Sequence, residues 1–200
     1  MRTVEASVQS VCVFCGSNKG AGAVYADAAR SLAHAMARSG LRLVYGGGSI
    51  GLMGVLAEAA LAEGVDVTGV APRRLLEREV VHGNLTRLHV VESMHERKAK
   101  MAELSDAFIA LPGGYGTLDE LFEALTWTQL GYHCKPCGLL NVAGFFDRLA
   151  DYLDHALAEG FLTRQHREML VVADDPDLMI ETLRSVRLPQ TSKWIGRGET

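Results

Sequence analysis

Short apolar runs alternate with amphipathic segments along almost the whole chain. The runs at 11–14, 41–45, 65–71, 87–91, 106–111 and 137–141 read as six strands, and 170–173 as a seventh. Several are continuously apolar and rich in Val, Ile and Leu, as strands covered on both faces are. Between them the apolar period lengthens to that of a helix at 24–38, 50–63, 93–104, 117–130, 145–158 and 176–186. The segment 24–38, for instance, sets Ala28, Leu32, Ala35 and Met36 on one stripe. Strands alternating with helices predict an α/β fold: a Rossmann-like, doubly wound parallel sheet of six to seven strands with helices on both faces. One domain is expected over 10–188, with flexible tails at 1–9 and 189–200.

In such a sheet ligands bind beyond the carboxyl ends of the strands, where loops pass into helices. Three loops in that position carry glycine: Cys15-Gly16-Ser17, Gly46-Gly47-Gly48-Ser49-Ile50-Gly51, and Gly113-Gly114-Tyr115-Gly116-Thr117. All three are expected on one edge of the sheet, around a single site.

Composition narrows the partner. At 200 residues the chain suits one well-packed core. A net charge of −4 and the lack of any long Lys/Arg block argue against a nucleic-acid partner, which needs a basic face to displace counterions. The first nine residues are polar, and no apolar run nears the roughly 18 residues that cross a bilayer; a cytoplasmic protein with no membrane partner is expected. The cysteines form two CxxC pairs, 12/15 and 134/137, separated by more than a hundred residues, unlike the close pairs of a zinc knuckle. An odd spacing on a strand points Cys12 and Cys15 to opposite faces. Buried, inert thiols are expected, and no metal.

Three segments carry candidate chemistry. Gly46-x-Gly48-x-x-Gly51 follows a strand and opens a helix, as a dinucleotide fingerprint does. However, Asp66 precedes the next strand instead of ending it, and the unit is not the first of the chain. Its glycines serve a tight turn and close packing, or bring Gly47 and Gly48 near a phosphate or sugar. The second segment is Pro112 to Glu120. Glycines 113, 114 and 116 expose amides at a helix start, a natural seat for a dianionic phosphate. Thr117-x-x-Glu120 also reads as a capping box with Thr117 as N-cap, and the two readings stand side by side. The third is Ser93-Met94-His95-Glu96-Arg97-Lys98, where Ser93 and Glu96 form a second capping box. Met94, Arg97, Met101 and Leu104 then share a face with Lys98 beside them. Cations in the first turns oppose the helix dipole. Either they snorkel to water, or Arg97 offers its planar fork to an anion.

These motifs together resemble one family. Pro112-Gly113-Gly114-Tyr115-Gly116-Thr117-Leu118-Asp119-Glu120 is similar to the PGGxGTxxE signature of the LOG ("Lonely Guy") family, and Met94-His95-Glu96-Arg97-Lys98-Ala99 to its second signature. Gly46–Gly48 with Gly51-Leu52-Met53-Gly54, Cys15-Gly16-Ser17 and Thr126-Trp127-Thr128-Gln129-Leu130-Gly131 extend the likeness over roughly 10–185. The resemblance implies a cytokinin riboside 5′-monophosphate phosphoribohydrolase. Such an enzyme hydrolyses the N-glycosidic bond of N6-modified AMP (isopentenyl-AMP, for example) or AMP to a free base and ribose 5-phosphate, without a cofactor. It implies Arg97 and Glu120 as the catalytic pair. Lys98, Gly113, Gly114, Tyr115, Gly116, Thr117, Leu118 and Asp119 would line the nucleotide, with Glu79, Thr126, Ser17, Gly47 and Gly48 as further contacts. It also implies a homodimer, or a higher homo-oligomer. Members are often labelled lysine decarboxylases, yet none of the five lysines stands in a context suited to a pyridoxal phosphate Schiff base.

N-glycosidic cleavage passes through a cation-like sugar. Glu120 would stabilise that cation and activate water, with Arg97 orienting it. Two other classes remain open from sequence: a non-catalytic nucleotide sensor or carrier on the same fold, and an NAD(P)-dependent oxidoreductase.

Overall fold

The first strand shows how the core is built. In β1 (Ser10–Phe14) all five residues are buried; Val11 and Val13 enter one hydrophobic cluster while Cys12 and Phe14 enter another. That period-two split is what a strand covered on both faces requires. The computed structural model describes residues 8–77 and 81–188. Seven parallel strands form one sheet in the order β4-β3-β2-β1-β5-β6-β7, the others being β2 (Arg42–Tyr45), β3 (Val67–Pro72), β4 (Arg87–Val91), β5 (Ala107–Ala110), β6 (Cys137–Leu140) and β7 (Leu170–Ala173). Each expected strand is present.

Helices cover both faces. One face carries α1 (Ala23–Arg38), α2 (Gly51–Ala62) and α8 (Pro176–Ser185), which bury Leu32, Met36, Leu56, Met179 and Leu183. The other carries α4 (Met94–Glu103), α5 (Tyr115–Gln129) and α6 (Asp147–Ala158), which bury Met101, Leu121, Ala124 and Leu153. Each such leucine or methionine side chain contributes about 1.5–3 kcal/mol when taken fully from water. Two single-turn helices, α3 (Arg73–Leu76) and α7 (Arg164–Arg167), and a 3-10 turn at Val142–Gly144 lie in segments where no periodicity was legible.

Because β2 lies on one side of β1 and β5 on the other, the direction in which successive strands are added to the sheet reverses between β1 and β5. This is the crevice where ligands of doubly wound sheets bind, and the loops after β1, β2 and β5 converge there. The Gly16 amide donates to the Pro112 carbonyl at 3.1 Å, and the Leu52 amide to the Gly16 carbonyl at 3.0 Å.

Two expectations need correction. The N-terminal tail was expected to reach residue 9, but Val8 is buried in the core. The Asp106 carboxylate accepts from the amides of Gln9 and Ser10 and from the Ser10 hydroxyl at 2.8–3.0 Å. Those two residues therefore pack with the domain; 1–7 and 189–200 lie outside the described residues. The thiols of Cys12, Cys15 and Cys137 are buried, but Cys134 is exposed, since it falls in the loop before β6. Among the described residues no group of three or more His, Cys, Asp or Glu is arranged to hold a metal ion, and no helix is long and apolar enough to cross a membrane.

Candidate active site

The centre of the crevice is a buried arginine. Arg97 lies one turn into α4, whose start is set by Ser93: its hydroxyl accepts from the Glu96 amide at 3.1 Å. The return bond differs from the expected box, because the Glu96 carboxylate accepts from the Glu92 amide at 2.9 Å. The helix phase then turns Arg97 inward. Its residue is 7% exposed, which removes the snorkelling reading for this side chain. Three acceptors hold the guanidinium: Nε donates to the Val70 carbonyl at 3.1 Å, Nη2 to the Gly46 carbonyl at 3.3 Å, and Nη1 to Glu120 Oε1 at 2.8 Å. The cation is thus fixed to the carboxyl ends of β2 and β3.

Glu120 arrives from the other helix. The sequence allowed a Thr117–Glu120 capping box, but α5 begins two residues before Thr117, with Gly114 at the N-cap and no side-chain cap bond. Thr117 is buried inside the first turn, so the Glu120 carboxylate is free to cross to Arg97. Burial pushes its carboxyl up, the Arg97 charge and hydrogen bond pull it down, and the balance lies above the ordinary glutamate value. The result is a desolvated carboxylate clamped by one cation.

The glycine loop lies just before Glu120. The first amides of α5 have no intrahelical acceptor and carry the positive end of the helix dipole. Around Gly114 and Gly116 a Cβ would meet nothing within 4 Å, so packing does not demand glycine at either position. Gly113 is different, for a Cβ there would overlap Thr117 and crowd the Gly16 amide at 2.9 Å. Tyr115 is exposed, as are Asp119 and Ser17. The Leu118 amide is already bound to the Gly114 carbonyl and its side chain packs on the core, so neither is directed at the crevice.

Other expected contacts scatter. The Lys98 ammonium bridges Asp119 at 3.0 Å and Glu123 at 3.1 Å. Burial lowers its pKa, but the two carboxylates outweigh this and leave it above the ordinary lysine value. In this state Lys98 ties α4 to α5 and points at carboxylates. Gly47 and Gly48 receive the segment after residue 80: the Gly47 carbonyl accepts from the His82 amide at 2.9 Å, and Gly48 bridges Val81. Glu79 lies outside the described residues. Thr126 lies six residues beyond Glu120, about 9 Å along the axis and about 120° round it. Its hydroxyl donates to the Phe122 carbonyl at 2.6 Å, so it does not join the Arg97–Glu120 centre within this chain. Ser17 instead lines a cavity of about 250 Å³ with Tyr25, Leu52, Gly113, Gly114 and Phe145. That cavity lies where the first and third glycine loops meet; its apolar wall of Tyr25, Leu52 and Phe145 had no sequence signal, because those residues come from three separate segments.

The family model described as "Possible lysine decarboxylase" matches residues 53–183. The cytokinin riboside 5′-monophosphate phosphoribohydrolase of Rhodococcoides fascians is 52% identical over 178 residues, 88% of this chain and 90% of that one. The cytokinin riboside 5′-monophosphate phosphoribohydrolase LOG2 of Arabidopsis thaliana is 45% identical over 183 residues, 92% and 86% of the two chains. Among solved structures, the molybdenum cofactor binding protein from Rippkaea orientalis superposes with a TM-score of 0.68 over 89% of this chain and 96% of that one. At 23% identity that likeness speaks to the fold alone.

Proposed function

The chain belongs to the LOG family of cytokinin riboside 5′-monophosphate phosphoribohydrolases, and from that premise we propose how its crevice performs the hydrolysis. The enzyme is a glycosyl hydrolase that releases the free base from the nucleotide. The observation that carries the mechanism is the buried Arg97–Glu120 pair beside a glycine-marked helix start.

The 5′-phosphate sits on the first amides of α5, between Gly114 and Thr117. Glu120 follows three to five residues later, about 4.5–7.5 Å along the axis, the scale of a ribose 5-phosphate. The anomeric carbon then lies against its carboxylate. As the bond from C1′ to N9 breaks, positive charge grows on the sugar, and the anionic Glu120 stabilises it in a water-poor setting. Glu120 takes a proton from the attacking water, whose oxygen bonds to C1′; the C1′–N9 electron pair leaves with the base, which takes up one proton from solvent, and Glu120 returns its proton to solvent. Arg97, fixed by two carbonyls, keeps Glu120 ionised and aimed. Phosphate binding supplies energy remote from the breaking bond and holds the sugar in register.

The family description names a lysine decarboxylase, but a Schiff-base lysine must offer a neutral amine. Lys98 is held charged by two carboxylates, and its surroundings suit a structural bridge instead. The same reading takes AMP alongside N6-modified AMP as substrate, in a cytoplasmic homodimer whose mass light scattering would measure. Incubation with isopentenyl-AMP and AMP side by side, with products separated by chromatography, tests the activity. Free base and ribose 5-phosphate in equal amounts are expected; recovery of both nucleotides unchanged would sink the proposal.

A further inference from the structure

The glycine pattern at 46–51 resembles a dinucleotide fingerprint, yet its first glycine faces a side chain of this protein. Gly46 directly follows β2. A Cβ built there would overlap Arg97 Nη2, stand 2.9 Å from Cζ and 3.5 Å from Nε. All three nearest atoms belong to Arg97, 51 residues away in sequence. The Gly46 carbonyl accepts from the same nitrogen at 3.3 Å, while the Val70 carbonyl receives Nε. The backbone at Gly46 is outside the left-handed region, so a side chain is conformationally allowed. The guanidinium is the first group such a side chain would meet.

We propose that Gly46 is a positioning residue for the hydrolysis: the missing side chain forms the seat that lets Arg97 lie flat on the ends of β2 and β3 and present Nη1 to Glu120. The proposal rests on the reading that Arg97 and Glu120 carry the reaction. It gives the first glycine of the pattern a role unlike that of a dinucleotide fingerprint, where the first glycine makes a tight turn and the second lets a pyrophosphate approach. Here the group admitted is a guanidinium. The neighbouring glycines are explained separately: Gly51 has φ +65° and is pressed on the Ser17 backbone, and a Cβ at Gly54 would meet the Ser49 carbonyl.

The test is Gly46→Ala, made in the native protein and in Arg97→Ala, with Glu120→Gln as a separate arm. In the native background the alanine displaces the guanidinium, and kcat falls about a hundredfold, the scale of an ångström-level misplacement, with KM little changed. Charged and titratable groups around Glu120 are Arg97 and Lys98 from α4, its neighbour Asp119, the Cys12 thiol from β1 and the Cys15 thiol just after it. Of these only Arg97 moves, so the acid limb of kcat/KM shifts to higher pH. In the Arg97→Ala background the clash is gone, and Gly46→Ala leaves Tm unchanged although it lowers Tm in the native protein. Should Gly46→Ala alone fail to fold, recovery of the fold in the double variant supports the seat. An equal loss of Tm, or of folding, in both backgrounds overturns it. So does native kcat with a native pH profile in Gly46→Ala while Glu120→Gln is inactive. Native turnover by Glu120→Gln would instead remove the underlying reading, leaving the Tm comparison to decide the seat on its own.

Discussion

Arg97 and Glu120 meet at 2.8 Å with side chains only 9% and 11% exposed. Two helices that follow different strands, α4 and α5, are thereby joined by a pair of opposite charges almost wholly out of water. Such a pair contributes little net stability, but removing one member leaves the other buried and uncompensated. An interaction of that kind is better suited to fixing geometry than to holding a fold.

Arg97→Ala therefore has two effects. Loss of the cation strands Glu120, and the protein is destabilised by about 3–5 kcal/mol. Arg97→Lys keeps the charge but lacks the planar fork that reaches Val70, Gly46 and Glu120 together. It should fold better than the alanine variant, yet remain at least about a hundredfold below native kcat. Denaturant melts and steady-state kinetics on both variants check this; native-like turnover by Arg97→Lys would contradict it.

The Glu120 carboxyl should titrate above exposed glutamates. Burial raises it and Arg97 only partly offsets that. A raised acid pKa means that the ionised form is disfavoured in the folded state. The stabilising contribution is thus present below the unfolded pKa and lost as pH rises through the folded one. Carbon-13 NMR of glutamate-labelled protein, with the Glu120 signal assigned by its absence in Glu120→Gln, reads the midpoint directly. A midpoint at or below that of exposed glutamates would refute the assignment.

Gly116 separates stability from binding. It lies in the first turn of α5 with open space where a Cβ would go and without a positive φ. Alanine there should stabilise the helix by up to about 1 kcal/mol. If a phosphate occupies these amides, the added methyl crowds it and KM rises at least about tenfold. Higher Tm with unchanged KM would show that no phosphate approaches this turn.

His133 predicts an acid limit. It is half-buried against Phe108 and Trp127, and its Nδ1 accepts from the Lys135 amide at 3.3 Å. Burial first, and the Lys135 charge second, push its pKa down from 6.5 to about 4. With a depressed folded pKa, its contribution is complete above the unfolded value near 6.5 and lost as pH falls toward about 4. His133→Phe should accordingly lose less Tm than the native protein between pH 7 and 4.5. Parallel melting curves of equal slope against pH would contradict this.

Much of this architecture is written in the apolar spacing. The run Ser10–Phe14 reads as a strand covered on both faces, and the alternation of short apolar runs with helices leaves few topologies besides a parallel doubly wound sheet. Glycines 113, 114 and 116 at a helix start carried the expectation of a phosphate seat, and the open space beside Gly114 and Gly116 is compatible with it. What sequence could not resolve was long-range. Thr117-x-x-Glu120 satisfied a local cap rule perfectly well, and only the earlier start of α5 and the approach of Arg97 from 23 residues away decided against it. Gly46 looked like part of a phosphate loop for the same reason, since the atom filling its space belongs to another helix. Lys98 was expected on the nucleotide, but Asp119 and Glu123 lie within its reach once α4 and α5 are side by side.

The central claim is that Glu120 performs the bond cleavage while the glycine loop holds the nucleotide. Glu120→Gln keeps the shape and a hydrogen-bond acceptor for Arg97 but removes the negative charge that answers the sugar cation. Calorimetric titration with AMP beside single-turnover release of adenine measures both halves at once. The account predicts AMP affinity within a few-fold of native and base release slowed by at least about a thousandfold. Base release near the native rate would contradict it.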